Sequence, residues 1–315
     1  ISGSGTYIIF ARTLLDNLDI APAFLLSREE RILKKLANIM AGDYAGPDDV
    51  KKLRTELGLD KPLGTQFVEW IGRTVTGDLG TSIFSGQSIA KLVSTRLAPT
   101  LSLSLFGGLL AVCLGVPIGV MAAWKAGTRW DRTGQIYAAL GVSVPGFWLG
   151  VLMIYVFAVN LRWFPAIGFV ALTDSVGGYF RSIALPVMLL GVTGSAVIVR
   201  MTRASMLEVF REDYIRTARA KGLTERSVLF RHALRAAAIP IITVIGFLAA
   251  GLITGVVVTE TVFTIPGLGR LVAESVQRRD FPVVQSLLML LAFVYVMVNL
   301  LVDLAYAFVD PRVRL

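Results

Sequence analysis

Only one cysteine, Cys113, and one histidine, His232, occur among the 315 residues. A single thiol excludes an intrachain disulfide and gives no sign of redox compartment. One cysteine and one histidine are too few for a His/Cys zinc cluster, so no metal site is expected. Charge is also scarce. Acidic and basic side chains make up 17% of the chain, against about 25% in ordinary soluble domains. Three machineries are missing from the sequence. There is no Gly-x-x-x-x-Gly-Lys-Ser/Thr phosphate loop, so no ATP site is expected in this chain. There is no Gly-x-Ser-x-Gly elbow and no His-Glu-x-x-His helix, so an intramembrane hydrolase has nothing to work with.

Apolar residues are what is abundant. They form 55% of the chain, and the mean hydropathy is +0.68. Five apolar blocks lie at about 97–124, 136–160, 183–199, 237–258 and 283–309. Each approaches the roughly 20 residues that cross a bilayer core as a helix. Backbone amides in lipid must be satisfied within the segment, so helices are expected. The fold class that follows is an all-α, polytopic membrane bundle with five clear spans and an uncertain N-terminal one.

The charges fix an orientation. Lys125, Arg129 and Arg132 follow the first block, and nine cations from Arg200 to Arg235 lie between the third and fourth. Arg312 and Arg314 end the chain. If every block crosses, these three regions share one side, and cationic loops stay cytoplasmic. Loops 162–181 and 260–280 then lie outside. Arg270, Arg278 and Arg279 in the second of these are accompanied by Glu274 and Asp280.

The part before the first block divides at residue 41. Residues 1–41 are broken by charges, show no signal peptide and contain no evident span. Residues 42–96 read as an external loop with short amphipathic helices. Pro47-Asp48-Asp49-Val50 reads as a helix start that ends at Gly58. Phe67, Trp70, Ile71 and Val75 follow helical spacing, and Gly77-Asp78-Leu79-Gly80 is a turn. Residues 97–315 form the transmembrane domain.

The loop at about 203–236 is the most informative segment. Leu207, Phe210, Tyr214 and Ala218 fall on one helical face. Gly222 breaks the pattern, Thr224 suits an N-cap and Glu225 the first turn. Val228, Leu229, His232 and Ala236 give a second apolar stripe. A helix, glycine turn and helix held between two spans form a knob that can pass a push to the spans. The residues alone leave other readings open: an ordinary solvated connector, or a surface pair held to anionic lipid by its arginines. A DNA-binding helix-turn-helix, which Ala220-Lys221-Gly222-Leu223-Thr224 superficially resembles, conflicts with tethering at both ends.

Within the blocks, Gly115-x-x-x-Gly119 and Gly251-x-x-x-Gly255 present small faces. They suit packing inside one subunit, or contact between two. Pro117 and Pro145-Gly146 are expected to kink their helices. Asp303, with Asn299 one turn before it, is the acid set deepest in a block. A structural pair with a cation such as Arg200 is favoured there over a proton path.

Several stretches carry a family resemblance. Arg216-Thr217-Ala218-Arg219-Ala220-Lys221-Gly222, then His232-Ala233-Leu234 and Pro240, resemble the EAA loop of ABC importer permeases. The variant is that of the dipeptide, oligopeptide and nickel transport family, in which the general Glu-Ala-Ala is replaced; here Arg216, Thr217 and Ala218 stand there. Leu53-Arg54-Thr55-Glu56-Leu57-Gly58, Arg96-Leu97-Ala98-Pro99-Thr100, Glu260-Thr261-Val262-Phe263-Thr264-Ile265-Pro266-Gly267 and Asp310-Pro311-Arg312 are similar to other parts of that family. Coverage runs from about Gly42 to the end.

The resemblance implies a multi-pass subunit of the bacterial inner membrane that imports short peptides. It implies a second, homologous permease, two ATP-binding subunits on the cytoplasmic side and an external substrate-binding protein, in a lipid environment and without nucleic acid. ATP and magnesium would be held by the ATPase subunits, with no cofactor in this chain and no enzyme activity of its own. The coupling residues it implies are Arg216, Thr217, Ala218, Gly222, His232 and Leu234; no substrate-binding residue is assigned. Nickel, glutathione or opines are alternative cargoes, and a secondary transporter or a scaffold are alternative functions. The family also begins with a membrane helix, which residues 1–41 do not resemble.

Overall fold

A computed structural model of the chain describes residues 65, 68, 71–74 and 76–309. The expected segment 1–41, the helix from Pro47 to Gly58 and the terminal Asp310-Pro311-Arg312 lie outside the described residues. The chain divides into two compact units, Ile1–Leu79 with Ile83–Ser85, and Gly80–Ser82 with Gly86–Leu315. In the first, residues 71–74 are helical and run into the expected turn, where Gly77 adopts φ +86°.

The second unit is helical. Among the described residues the extended structure is one isolated bridge, Thr81 to Ser88. Helix α1 spans Ile89–Trp124, α2 Arg129–Ser143 and α3 Gly146–Met153, which continues as a π-helical stretch, Ile154–Asn160. Then come α4, Val176–Val209, and α5, Asp213–Ala220. Helix α6, Glu225–Ala236, has a π-helical centre at Val228–Ala233. Helix α7 covers Ala238–Val262, α8 Leu268–Arg278 and α9 Phe281–Val309.

Among the described residues, α1, α4 and α9 can each cross a membrane by length and composition, and five spans result if each bent pair counts as one. The second expected span, 136–160, is not straight. Helices α2 and α3 meet at 101°. Pro145 causes the break: it disfavours helical geometry in the residue before it, and Val144 is extended at φ −83°, ψ 123°. Pro117, also expected to kink, sits inside α1 without ending it.

The bundle is built on α1 against α4. Gly107, Ala111, Gly115 and Gly119 recur every four residues and are all buried. A Cβ at Gly115 would lie 2.6 Å from Ile198 Cβ, and one at Gly119 2.7 Å from Thr202 Cβ. This small stripe therefore serves packing within the subunit, where close backbone approach replaces the hydrophobic drive that lipid does not supply. Gly251 differs, with nothing near its missing Cβ. Helix α4 is central, with 67% of its most apolar stretch buried, whereas α9 is peripheral at 6%. Leu103, Leu185, Leu189, Val256 and Phe263 fill the core between α1, α4 and α7 at one end of the bundle.

Candidate functional site

At the other end of α7 sits the helix pair around Gly222. Helix α4 ends at Val209, and the chain turns before Asp213 starts α5. Asp213 in the first turn and Arg219 in the last complement the helix dipole. Helix α5 closes with a Schellman arrangement. Leu223 N–H donates to Ala218 C=O at 3.3 Å, and Gly222 N–H to Arg219 C=O at 2.9 Å. That closure needs a left-handed residue at Gly222, which has φ +79°. Thr224 caps α6 by accepting from Ser227 N–H at 3.4 Å. Arg219 Nε donates to Glu225 Oε1 at 2.9 Å, a tie across the turn. Both partners are about half exposed, so this tie contributes under about 1 kcal/mol.

The inner side of the pair is apolar. Ile215 and Ala218 of α5 and Val228, Leu229 and Ala233 of α6 are buried in one cluster. The same cluster holds Val120 and Ala123 of α1, Met206 of α4 and Ile241 of α7. Two short helices are thus seated on the ends of three long ones. Helices α6 and α7 meet at 58°, with Ala237 buried at the corner.

The outer side exposes Tyr214, Leu223 and Phe230, the last at 62%. Desolvation, and then the Glu212 charge, push the Tyr214 phenol up, so it is a neutral hydrogen-bonding group. Of the six residues assigned to coupling, Ala218 and Leu234 face the cluster. Arg216 and Thr217 point to solvent, Arg216 with Asp213 Oδ1 at 3.3 Å. Gly222 is exposed in the turn, and His232 is half-buried.

Two expected stripes shift. Tyr214 is exposed and Ile215 takes the inner position, because the break at Phe210–Glu212 restarts the helical register. In α6 Ala233 takes the inner position, followed by Ala237 at the corner, while Ala236 is exposed. A π-helical turn is wider than 3.6 residues, so the inner face advances from Val228 to Ala233.

The buried ion pair is also not the one expected. Asp303 is exposed, and among the described residues no ion pair reaches it. The acid paired with an arginine of α4 is Asp131, in the first turn of α2. Arg203 donates to it twice, Nε to Oδ1 at 2.6 Å and a terminal nitrogen to Oδ2 at 2.9 Å. Gly127 N–H and Gln135 Nε2 each add a bond at 2.9 Å. An acid opening a helix amid Lys125, Arg129 and Arg132 was the available signal in sequence.

At the far end of α7, Glu260 is fully buried. Its carboxylate accepts from Thr100 Oγ1 at 2.5 Å and from Arg270 N–H at 2.8 Å. Thr100 in turn accepts from Leu268 N–H at 2.8 Å. Glu260 thereby caps α8 and ties it to α1, and a Cβ at Gly267 would run into its carboxyl group. Arg96 and Arg270 both reach Glu274, at 3.5 and 2.8 Å.

Known proteins resemble this chain in sequence and in fold. Residues 115–315 match the family model described as binding-protein-dependent transport system inner membrane component. Over 278 residues the chain is 47% identical to a probable peptide ABC transporter permease protein, y4tP, of Sinorhizobium fredii, covering 88% of this chain and 89% of that protein. It is 37% identical to the dipeptide transport system permease protein DppB of Alkalihalophilus pseudofirmus, over 88% and 90% of the two chains. The glutathione transport system permease protein GsiC of Escherichia coli is 42% identical, over 88% of each chain. Among solved structures, a chain of the MetNI methionine ABC transporter in inward facing conformations superposes with a TM-score of 0.57 at 20% identity. That match covers 70% of this chain and 96% of that one, and bears on the fold alone.

Proposed function

The chain belongs to the binding-protein-dependent transport system inner membrane component family, and on that premise we propose that its helix pair around Gly222 is where separate ATPase subunits drive a peptide importer. The protein is a permease subunit of a peptide ABC importer. In the arrangement proposed, it pairs with a second permease in the bacterial inner membrane. Two ATP-binding subunits dock from the cytoplasm, and an external binding protein delivers peptide. ATP and magnesium stay with the ATPase subunits, and this chain performs no hydrolysis. Glutathione is the second cargo reading, favoured by the 42% identity to GsiC.

One observation supports the coupling role above others: the buried face of the helix pair is shared by α1, α4 and α7. A cluster packed at interior density moves as a body, because its side chains cannot slide past one another without opening voids. A push on α5 and α6 is therefore passed to the ends of three spans, and the corner at Ala237 turns it into the axis of α7. Ala218 and Leu234 carry the load on the inner side. Gly222 keeps the turn tight, and Arg216, Thr217 and His232 border the partner-facing surface. Phe230, Tyr214 and Leu223 supply the apolar anchor that a protein partner can bury.

The test is Phe230→Asp, co-expressed with the candidate ATPase subunits. The variant is expected to reach the membrane at normal level but to retain less than about a tenth of the ATPase on purification, as fits loss of an aromatic anchor. Full retention would show that the ATPases bind elsewhere.

A further inference from the structure

A second feature lies between α1 and α2, apart from the coupling cluster. It is a groove of about 370 Å³, within the roughly 300–1,000 Å³ of small-ligand sites. Its walls include Pro117 and Met121 of α1 and Trp130, Thr133, Gly134 and Tyr137 of α2. The hydroxyls on these walls are already occupied. Thr133 Oγ1 donates to Trp130 C=O at 3.0 Å, and the Tyr137 hydroxyl shares a 2.5 Å hydrogen bond with Ser195 Oγ. What the groove offers a ligand is hydrocarbon surface.

Its mouth is cationic. Lys125 Nζ stands 5.7 Å from the ring centre of Trp130, a wall residue, and 5.8 Å from that of Trp124. Arg129, at the start of α2, is exposed. The nearby acid does not offset these charges. Both Asp131 oxygens are taken up by Arg203, Gly127 and Gln135. Two tryptophans beside basic residues at the end of an apolar helix are the side chains favoured at the membrane–water interface. An apolar slot in a membrane protein, opening at that level under uncompensated cations, matches a molecule with an acyl chain and an anionic head.

We propose that the groove between α1 and α2 binds an anionic phospholipid, its acyl chain along Pro117, Met121 and Tyr137 and its phosphate at Lys125 and Arg129. Arg203 is withheld from the headgroup by Asp131, so lipid selectivity rests on Lys125 and Arg129. A lipid wedged there fixes α2 against α1, independently of which substrate the importer carries.

The experiment uses the assembled importer, equilibrated with equal phosphatidylglycerol and phosphatidylcholine and analysed by native mass spectrometry. Wild type is expected to retain phosphatidylglycerol in about thirtyfold preference, the scale set by two basic side chains at a membrane surface. Lys125→Glu with Arg129→Glu is expected to abolish the preference. Thr133→Trp, which fills the slot, is expected to lose the retained lipid of either kind; Thr133→Leu serves the same comparison if the larger residue prevents assembly. Equal retention of both lipids by wild type, or an unchanged preference in the charge variant, overturns the proposal. So does crosslinking of Thr133→Cys to the partner permease in place of lipid.

Discussion

At the residue scale, the molecule is held by a few polar groups placed where apolar packing alone would leave a choice. Asp131 and Arg203 join α2 to α4 through a paired, largely buried contact. Removing one partner strands the other charge, which costs more than the pair contributes. Asp131→Ala is expected to destabilise the protein by about 2–4 kcal/mol, read as a lowered Tm in detergent. Asp131→Ala combined with Arg203→Met is expected to recover most of that loss; a double variant as unstable as the single would contradict this account. Sequence revealed Gly222 and Thr224, because turn and cap chemistry depends on the residue itself. It did not reveal Glu260 or Asp131. A buried acid and an exposed one look alike until the chain brings Thr100 or Arg203 to them. The same reason explains Asp303, which lies in an apolar block and yet faces outward on the peripheral α9.

At the element scale, hydropathy finds apolar length and says nothing of direction. The block at 136–160 is apolar as expected, and the kink expected at Pro145-Gly146 is a fold through 101°, a size that hydropathy does not give. Periodicity fails in a related way in the loop. Two regular stripes were expected, and each is displaced by a local irregularity, the break before Asp213 and the π-helical turn of α6. Neither changes composition, so neither is visible in a residue pattern. The cap of α6 is legible and can be tested directly. Thr224→Ala is expected to cost about 1 kcal/mol locally. In hydrogen exchange, amides 225–228 should exchange about fivefold faster, while α4 is unchanged. Unaltered exchange would mean that α6 is held by its apolar face alone.

At the scale of the whole molecule, the charge bias assigns the two ends of the bundle to opposite sides of the membrane. On that assignment the end with Arg211, Arg226 and Arg235 is expected on the cytoplasmic side, and the end with Glu260 and α8 outside. There Arg96 and Arg270 both pair with Glu274. In a Cys113→Ala background, Arg226→Cys is expected to react with an impermeant thiol reagent only after the cells are opened. Val276→Cys, on the exposed face of α8, is expected to react in intact cells. The reverse pattern would invert the topology and remove the helix pair from the ATPases.

The central claim is that motion enters through the helix pair around Gly222. A side chain there meets no neighbour, since nothing lies near its missing Cβ. Within the fold, the strain a substitution introduces is that of the left-handed φ, at about 1–2 kcal/mol. Gly222→Asp therefore alters the turn without disrupting the core. The most direct measurement is ATP hydrolysis by the complete importer in liposomes, with and without peptide-loaded binding protein. Wild type is expected to be stimulated, and Gly222→Asp to assemble normally and lose the stimulation. An assembled Gly222→Asp complex that responds like wild type would show that the helix pair is a passive connector.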